Sequence, residues 1–573
     1  MDLSKITKSK TILIVILLIA SFLRLWKLNQ VPVSLFGDEL DVGYHAYSIL
    51  KTGQDYSDNT WPIHFQSLAE WRTPLYLYAS VPTVAIFGIT PFGVRLPAAI
   101  FGILGVLVLY LLVKQIFNNE KLALISAGVM TFSPWAIQYS RAGFEVTQLL
   151  FFLLLGLWLF FKSLKDQKLL WLSLVCLTLT PWVYSTAKLF TPLLLFFLFC
   201  VWGKQILKYS KKYLIFAVCS LILVGAPIAY STLFGGGAAR FSYISIFTDP
   251  TTEPEVGSAR QLDARVRGEL GEGLMPTPID KLFHNKFTFW GRNVLNNYYQ
   301  SLSFDFLFNE GDPNPRHSPN GIGEFYKLEI IPLILGIILF FGKSKEKKLK
   351  LLIGFWILAG IIPAAITRDG GRHATRLILI LPPLVFLVAY GLYFFSELVQ
   401  KKYRLILNTS YLILFLFSFI FYQHQLFVHN PWTSERWWHG GWQESIQSIK
   451  QVENDYDKIV ITSADEPPWI FFAAHYMYDP IKWHQGYPFK KLELKGFGEV
   501  SFIDKFYFGT PTDNKGLYDW GQVLDNKTLY LASAKEVRVN LILEPERTPG
   551  DLKLLKSIAY PSGEPAFYLF TGK

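Results

Sequence analysis

The stretch TILIVILLIASFL, Thr11 to Leu23, is almost entirely apolar and follows Lys5, Lys8 and Lys10. A basic start before an apolar run resembles a secretory leader, but this run continues to Trp26 with no small-residue cleavage site. It reads as a retained first membrane span. Comparable blocks recur along the chain, such as Leu149 to Phe161. Repeated apolar blocks of about 20 residues are what a hydrocarbon core about 30 Å thick requires. The composition agrees: 51% of the 573 residues are hydrophobic and 17% are charged, where soluble domains carry about 25% charged residues. Cys176, Cys200 and Cys219 all lie within apolar blocks, which suits packing rather than a disulfide framework or a metal site.

The net charge of +11 does not point to nucleic acid, because of where the charge sits. Basic residues concentrate at the N-terminus and in five short links, Lys114–Lys121, Lys162–Lys168, Lys204–Lys212, Lys343–Lys350 and Lys401–Arg404. These six segments hold 20 basic residues against four acidic ones, the bias expected of cytoplasmic loops. Placing all six on one side predicts eleven spans, at about 11–28, 92–113, 121–138, 146–163, 168–183, 186–203, 212–230, 326–342, 350–366, 374–397 and 404–427, with the C-terminus outside. Leu75 to Gly88 is apolar but short, with Pro74, Pro82, Tyr76 and Tyr78. It is expected to lie at the outer interface or to re-enter, since a full crossing would reverse every later basic loop. A twelfth span is the alternative.

The expected fold is an all-α polytopic membrane domain over residues 1–430, with outer loops at about 29–91 and 231–325. The tail, 431–573, is more polar. It alternates β-like runs at 458–462, 528–532 and 566–571 with helical stretches such as Trp442 to Val452, so a small extracytoplasmic α/β domain is expected. Its tryptophans, Trp432, Trp437, Trp438, Trp442, Trp469 and Trp483, suit packing or a membrane interface better than sugar stacking. His424, His429, His439 and His475 form no metal-ligand pattern.

The first outer loop carries Phe36-Gly37-Asp38-Glu39-Leu40-Asp41. Adjacent carboxylates just outside a span suit general-base work, in which one takes the proton of an acceptor hydroxyl or amine attacking a sugar carbon. The plainer alternative is a pair of solvated acids or an N-cap from Asp38 or Asp41. Cations on the same expected side shift the balance. Arg72, Arg141, Lys188, Arg316 with His317, and the group Arg372, His373 and Arg376 each fall near an outer span end. Outer cations run against the orientation bias. A lipid phosphate at headgroup depth accounts for them, because arginine forks bind its oxygens bidentately. Snorkelling to headgroups competes as an explanation of any single one. Glu145 lies four residues after Arg141 and shares a helix face with it, either as its salt-bridge partner or with Arg141 at the acceptor, where Glu145 is a second acid. A lipid-phosphate sugar brings its own leaving group, so one base and a cationic pocket suffice for inversion. The glycine loops of nucleotide-binding folds are missing from the sequence, so a nucleotide-sugar donor is not indicated.

At these residues the chain resembles the GT-C membrane glycosyltransferases, in particular the branch of the protein O-mannosyltransferases and the lipid A aminoarabinose transferase. The carriers are Asp38-Glu39 after Pro32, Tyr44 to Asp55, Arg72 to Tyr76, Phe87-Gly88 with Phe92-Gly93-Val94-Arg95, and Tyr139-Ser140-Arg141. The resemblance covers about residues 10–430. It implies a polyprenyl-phosphate-linked donor, inversion at the anomeric carbon, and an active site at the membrane beside the first outer loop. It implies Asp38 as the catalytic carboxylate with Glu39 beside it, and Glu145 at the family's second acidic position, where relatives often carry Asp. It further implies that Arg72, Lys188 and the Arg372–Arg376 turn hold the donor phosphate, and Arg316 joins that expected set. The implied partners are the polyprenyl-phosphate sugar, the bilayer, and a protein, lipid or glycan acceptor in the cell envelope. No cofactor is assigned; a divalent cation enters with the alternative of an oligosaccharyltransferase using a lipid pyrophosphate. A polyprenyl-lipid transporter or flippase is the alternative from another class. Its ionisable residues would be expected near the bilayer midplane on repeated halves, whereas here they sit at outer span ends without an internal repeat.

Overall fold

The computed structural model describes residues 3–68, 71–269, 275–395, 397, 399–464, 466–486, 500–511 and 516–573. Each of the eleven expected spans coincides with a helix. They begin with Leu3–Leu25, Pro91–Phe117, Glu120–Phe132, Val146–Ser163, Leu170–Val183 and Ala187–Ile206. They continue with Lys211–Phe234, Ile330–Lys343, Lys347–Ala365, the Ala374–Phe395 run and Arg404–His424. Residue 396, within the span expected at 374–397, lies outside the described residues. Among the described residues, seven helices are long and apolar enough to cross a membrane, and the chain is a multi-pass membrane protein. Helices Lys211–Phe234 and Lys401–Thr433 leave almost all of that apolar surface uncovered, which hydrocarbon accommodates and water does not. Leu75–Phe87 forms a helix of 13 residues, ended by Gly88 at φ +70°. At 1.5 Å per residue this is about 20 Å, too short to cross a hydrocarbon core about 30 Å thick at any tilt.

The chain divides into two compact units. The first comprises Met1–Leu13, Leu107–Trp135 and Phe152–Phe415. Its helices pack closely where glycines allow it: a Cβ at Gly336 would collide with the carbonyl of Leu387, and one at Gly391 with that of Pro332. Small residues at such crossings bring two membrane helices into backbone contact.

The second unit comprises Ile14–Val106, Ala136–Phe151 and Leu416–Lys573. It contains a six-stranded sheet: β1 (Lys458–Ile461), β2 (Phe502–Ile503), β3 (Phe506–Phe508), β4 (Thr528–Ser533), β5 (Leu552–Ala559) and β6 (Pro565–Gly572). The order is β2-β3-β1-β4-β6-β5. The pairs β1/β3 and β1/β4 are parallel and the others antiparallel. The three β-like runs legible in the tail became β1, β4 and β6; the short β2 and β3 and the edge strand β5 carried no such pattern.

Both faces of the central strands are covered. Ile459, Ile461, Leu529 and Leu531 face one core, and Val460, Tyr530 and Ala532 face another, the period of two that a pleated strand imposes. The first core is shared with the first-loop helix Gly37–Thr52. Leu40, Tyr44 and Ile49 from that helix pack with Trp442, Ile446, Trp469, Ile470 and Trp483 from the tail. Polar contacts reinforce this joint. The Tyr44 hydroxyl donates to the Tyr478 carbonyl at 3.2 Å, and the Trp483 indole N–H donates to the Tyr56 carbonyl at 3.0 Å. Trp438, Trp442, Trp469 and Trp483 are thus core residues, whereas Trp432 and Trp437 are exposed.

Trp483→Ala removes a fully buried indole from this shared core and is expected to cost about 3–5 kcal/mol. Thermal unfolding of the purified protein in detergent should show the lowered midpoint.

Candidate active site

The helix Gly37–Thr52 starts with Asp38 and Glu39 in its first turn and ends at Gly53 in the left-handed region, φ +75°. Carboxylates at a helix N-terminus are favoured by its exposed N–H groups and dipole. One turn of helix points successive side chains in different directions, and the three acids of this segment meet three different environments.

Glu39 is fully buried in a bidentate pair with Arg95, at 2.7 Å from Oε1 to Nε and 2.8 Å from Oε2 to Nη2. Oε1 also accepts the Gly143 backbone N–H at 2.7 Å. Residue 143 sits close against this acid: a Cβ there would lie 3.1 Å from Glu39 Cγ and 3.2 Å from Oε1. Arg95 spends its remaining donors on the carbonyls of Leu28, Pro32 and Ser34. Glu39 was expected beside Asp38 in catalysis; burial and this full set of bonds make it a brace instead. Arg141 has a parallel role. It was expected at the acceptor, but it is fully buried and donates to the carbonyls of Leu23, Lys27 and Val31. It thereby satisfies carbonyls at and just beyond the end of the first helix, which the helix leaves without partners.

Asp41 is also fully buried. It accepts the Tyr56 hydroxyl at 2.5 Å and the Ser67 hydroxyl at 2.6 Å, with Arg72 Nε at 3.4 Å and His45 Nε2 at 3.6 Å. Burial pushes its carboxyl above the usual carboxylate range, opposed by the Arg72 charge and the two hydroxyls. Burial holds the His45 ring down at about 3, so it is neutral at pH 7.

Asp38 differs from both. Its carboxylate is 48% exposed and pairs with Arg72 at 2.9 Å. Arg72 is itself nearly buried, held in a two-stranded ribbon where it pairs with Phe65. It reaches Asp38, Asp41 and, at 3.8 Å, Glu145. Of the residues expected to hold phosphate, Arg72 is therefore surrounded by carboxylates, and Glu145 approaches it while Arg141 turns to backbone carbonyls. Burial of Glu39 and Asp41 and the near-burial of Glu145 leave Asp38 the most solvent-exposed carboxylate of this cluster.

The other expected cations lie in the first unit. Lys188 and Arg376 line a cavity of about 340 Å³ together with Arg240, Thr232, Thr367 and Tyr184. Its remaining walls are largely apolar, including Leu189, Phe241, Ile244 and Ile366. Lys188 donates to the Gly237 carbonyl at 2.9 Å, and Arg376 donates to Thr367 Oγ1 at 2.8 Å. Arg240 was missed by the sequence reading because it lies inside a long loop rather than at a span end. A second, polar cavity of about 480 Å³ is lined by Arg368, Arg372, His373, Arg376, His317 and Asp312, among others. Arg372 pairs with Glu310 at 3.0 Å. Arg316 is half-buried and lines neither cavity. Arg95, in the first two turns of Pro91–Phe117, was legible in principle, since it too lies at the expected outer end of a span.

Residues 72–230 match the family model described as dolichyl-phosphate-mannose-protein mannosyltransferase. The resemblance is to membrane mannosyltransferases. YkcB of Bacillus subtilis (strain 168), named as a candidate mannosyltransferase, is 37% identical over 101 residues, 18% of this chain and 14% of that protein. YycA of the same organism, named likewise, is 30% identical over 164 residues, 28% of this chain and 22% of that protein. The matches thus span less than a quarter of these relatives' lengths. Among solved structures, ArnT from Cupriavidus metallidurans bound to undecaprenyl phosphate aligns over 98% of both chains, with 10% identity and a TM-score of 0.49. The family match bears out the resemblance to the protein O-mannosyltransferases over residues 72–230, a stretch that holds Arg72 to Tyr76, Phe92 to Arg95 and Tyr139-Ser140-Arg141 but not Asp38-Glu39.

Removing one partner of the buried Glu39–Arg95 pair strands the other charge. Arg95→Ala is expected to lower stability by about 3–5 kcal/mol, read as the shift in a denaturant or thermal unfolding curve in detergent.

Proposed function

We propose that this protein is a membrane glycosyltransferase that moves a sugar from a polyprenyl-phosphate donor to an acceptor on the outer face of the membrane, with inversion. The observation that carries this reading is the contrast within one turn of helix: Glu39 and Asp41 are sealed and bonded, while Asp38 is exposed and held in place by Arg72. In the proposed step the acceptor oxygen or nitrogen forms a bond to the anomeric carbon as the bond from that carbon to the phosphate oxygen breaks. Asp38 takes the acceptor proton, and the electron pair leaves with the lipid phosphate. Arg72 fixes the orientation of Asp38, and Asp41 and Glu145 share the Arg72 charge so that it does not belong to Asp38 alone.

The departing phosphate gains negative charge, and cations aimed at it lower the barrier. Taken by itself, the first unit's amphipathic cavity of Lys188, Arg240 and Arg376 has the chemistry of a lipid-phosphate site, with three cations for a phosphate and apolar walls for isoprene units. The family match over 72–230 supports a lipid-phosphate donor, and the basic bias of the alternate loops supports an outer-face site.

The test incubates the purified protein with a panel of polyprenyl-phosphate sugars and acceptors and follows release of the lipid phosphate. Asp38→Asn is expected to abolish release, at least about 1,000-fold, with membrane insertion and melting unchanged. Wild-type release by this variant would remove Asp38 as the base. Arg240→Ala is expected to raise the donor KM about tenfold or more and leave the acceptor KM unchanged; equal effects on both would argue against a phosphate pocket there.

A further inference from the structure

We propose that Asp312, His317 and His373 bind a divalent transition-metal ion of the zinc class. One ligating atom from each residue lies within 4.8 Å of the other two. Two imidazoles and one carboxylate are a donor set for zinc and its first-row neighbours. Calcium and magnesium prefer oxygen-only shells.

The groups are oriented as ligands are. Asp312 Oδ1 accepts the Asn314 N–H and Oδ2 accepts the Ala374 N–H, both at 2.8 Å. The Asp312 N–H donates to Ser318 Oγ at 3.0 Å, and the Ser318 hydroxyl donates to Glu324 at 2.7 Å. This outer shell locks the loop that presents the carboxylate, as second-shell bonds do in metal sites. The His317 ring is set by Nδ1, 3.2 Å from Thr375 Oγ1, and ligation through Nε2 leaves that contact intact. His373 Nδ1 is buried without a hydrogen bond and faces Asp312 Oδ2 at 3.8 Å. That separation is too long for a hydrogen bond. An ion between them satisfies a nitrogen that is otherwise costly to bury.

Bonds from zinc of about 2.0–2.2 Å require ligand atoms closer together than the present spacing, so the three groups close by roughly 1 Å on the ion. Arg368, Arg372 and Arg376 line the same polar cavity and oppose a cation; Arg368 lies 3.8 Å from Asp249, Arg372 is paired with Glu310 and Arg376 is bonded to Thr367. The ion's open coordination position faces that cavity, where water or an anionic group completes the shell. Bound metal ties the 312–318 loop to the turn before Ala374. Nothing in this rests on the sugar-transfer reading, and the test needs no donor.

Full-length protein in detergent, stripped with chelator, is titrated with Co2+ by visible absorption and with Zn2+ by calorimetry. One ion per chain is expected, with a raised melting temperature. His317→Ala and His373→Gln should each weaken binding at least about tenfold, and their metal-free melting should match that of metal-free wild type. His424 and His429, whose Nε2 atoms lie 3.0 Å apart, are the competing site. Loss of uptake in His424→Ala instead, no uptake by wild type at about 100 µM ion, or unchanged binding in both loop variants would overturn the proposal.

Discussion

A carboxylate and a guanidinium sealed from water are tolerable only when every charge-bearing atom has a partner, and the Glu39–Arg95 pair meets that condition. Glu39 takes both forks of Arg95 and the Gly143 amide, and Arg95 takes three carbonyls of the segment leaving the first helix. Four stretches distant in sequence are thereby joined at one point: the end of the first helix, the start of Gly37–Thr52, the start of Pro91–Phe117, and the turn at Gly143. Such a pair adds little net stability over an apolar substitute, but losing one half is costly. Its value lies in geometry, because it fixes the helix turn from which Asp38 projects.

The joint with the tail domain works toward the same end. The helix carrying Asp38 lies in a core with Trp442, Trp469 and Trp483, so its far face is as firmly seated as its first turn. The role proposed for Asp38 gains from a support whose own rotamers are locked by packing. Arg72 is the intermediary between this rigid frame and the exposed carboxylate. It is nearly buried and touches three acids, and its charge is distributed rather than neutralised by one partner. The first unit presents a different kind of surface: an amphipathic cavity with Lys188, Arg240 and Arg376, and a polar one with the Asp312 loop and the Arg372 turn. Apolar walls beside clustered cations match the two ends of a lipid phosphate.

Much of this was legible in the sequence where the physics is local. Apolar blocks separated by basic links marked eleven spans, each of which is a helix, and short β-like runs marked three of the six strands of the sheet. The adjacent acids Asp38 and Glu39 drew notice, but their spacing carries no information on which one faces water. That depends on Arg95 and Gly143, 56 and 104 residues away from Glu39. Arg141 looked like a ligand-binding cation because it sits at a span end; its actual partners are backbone carbonyls, which leave no trace in residue identity. Asp312 was passed over beside Arg316 and His317 because its significance appears only when His373 folds next to it. Arg240 and the shared core of loop and tail were hidden for the same reason: both depend on contacts between distant segments.

In the proposed function, neighbouring carboxylates divide the labour, Glu39 holding the frame and Asp38 meeting the substrate. The most direct measurement compares Glu39→Gln with wild type, taking the single-turnover transfer rate per folded molecule alongside the unfolding midpoint. The midpoint is expected to fall steeply while the rate, at a temperature where the variant is folded, stays within about tenfold of wild type. A Glu39→Gln protein that melts like wild type and transfers no sugar would contradict it.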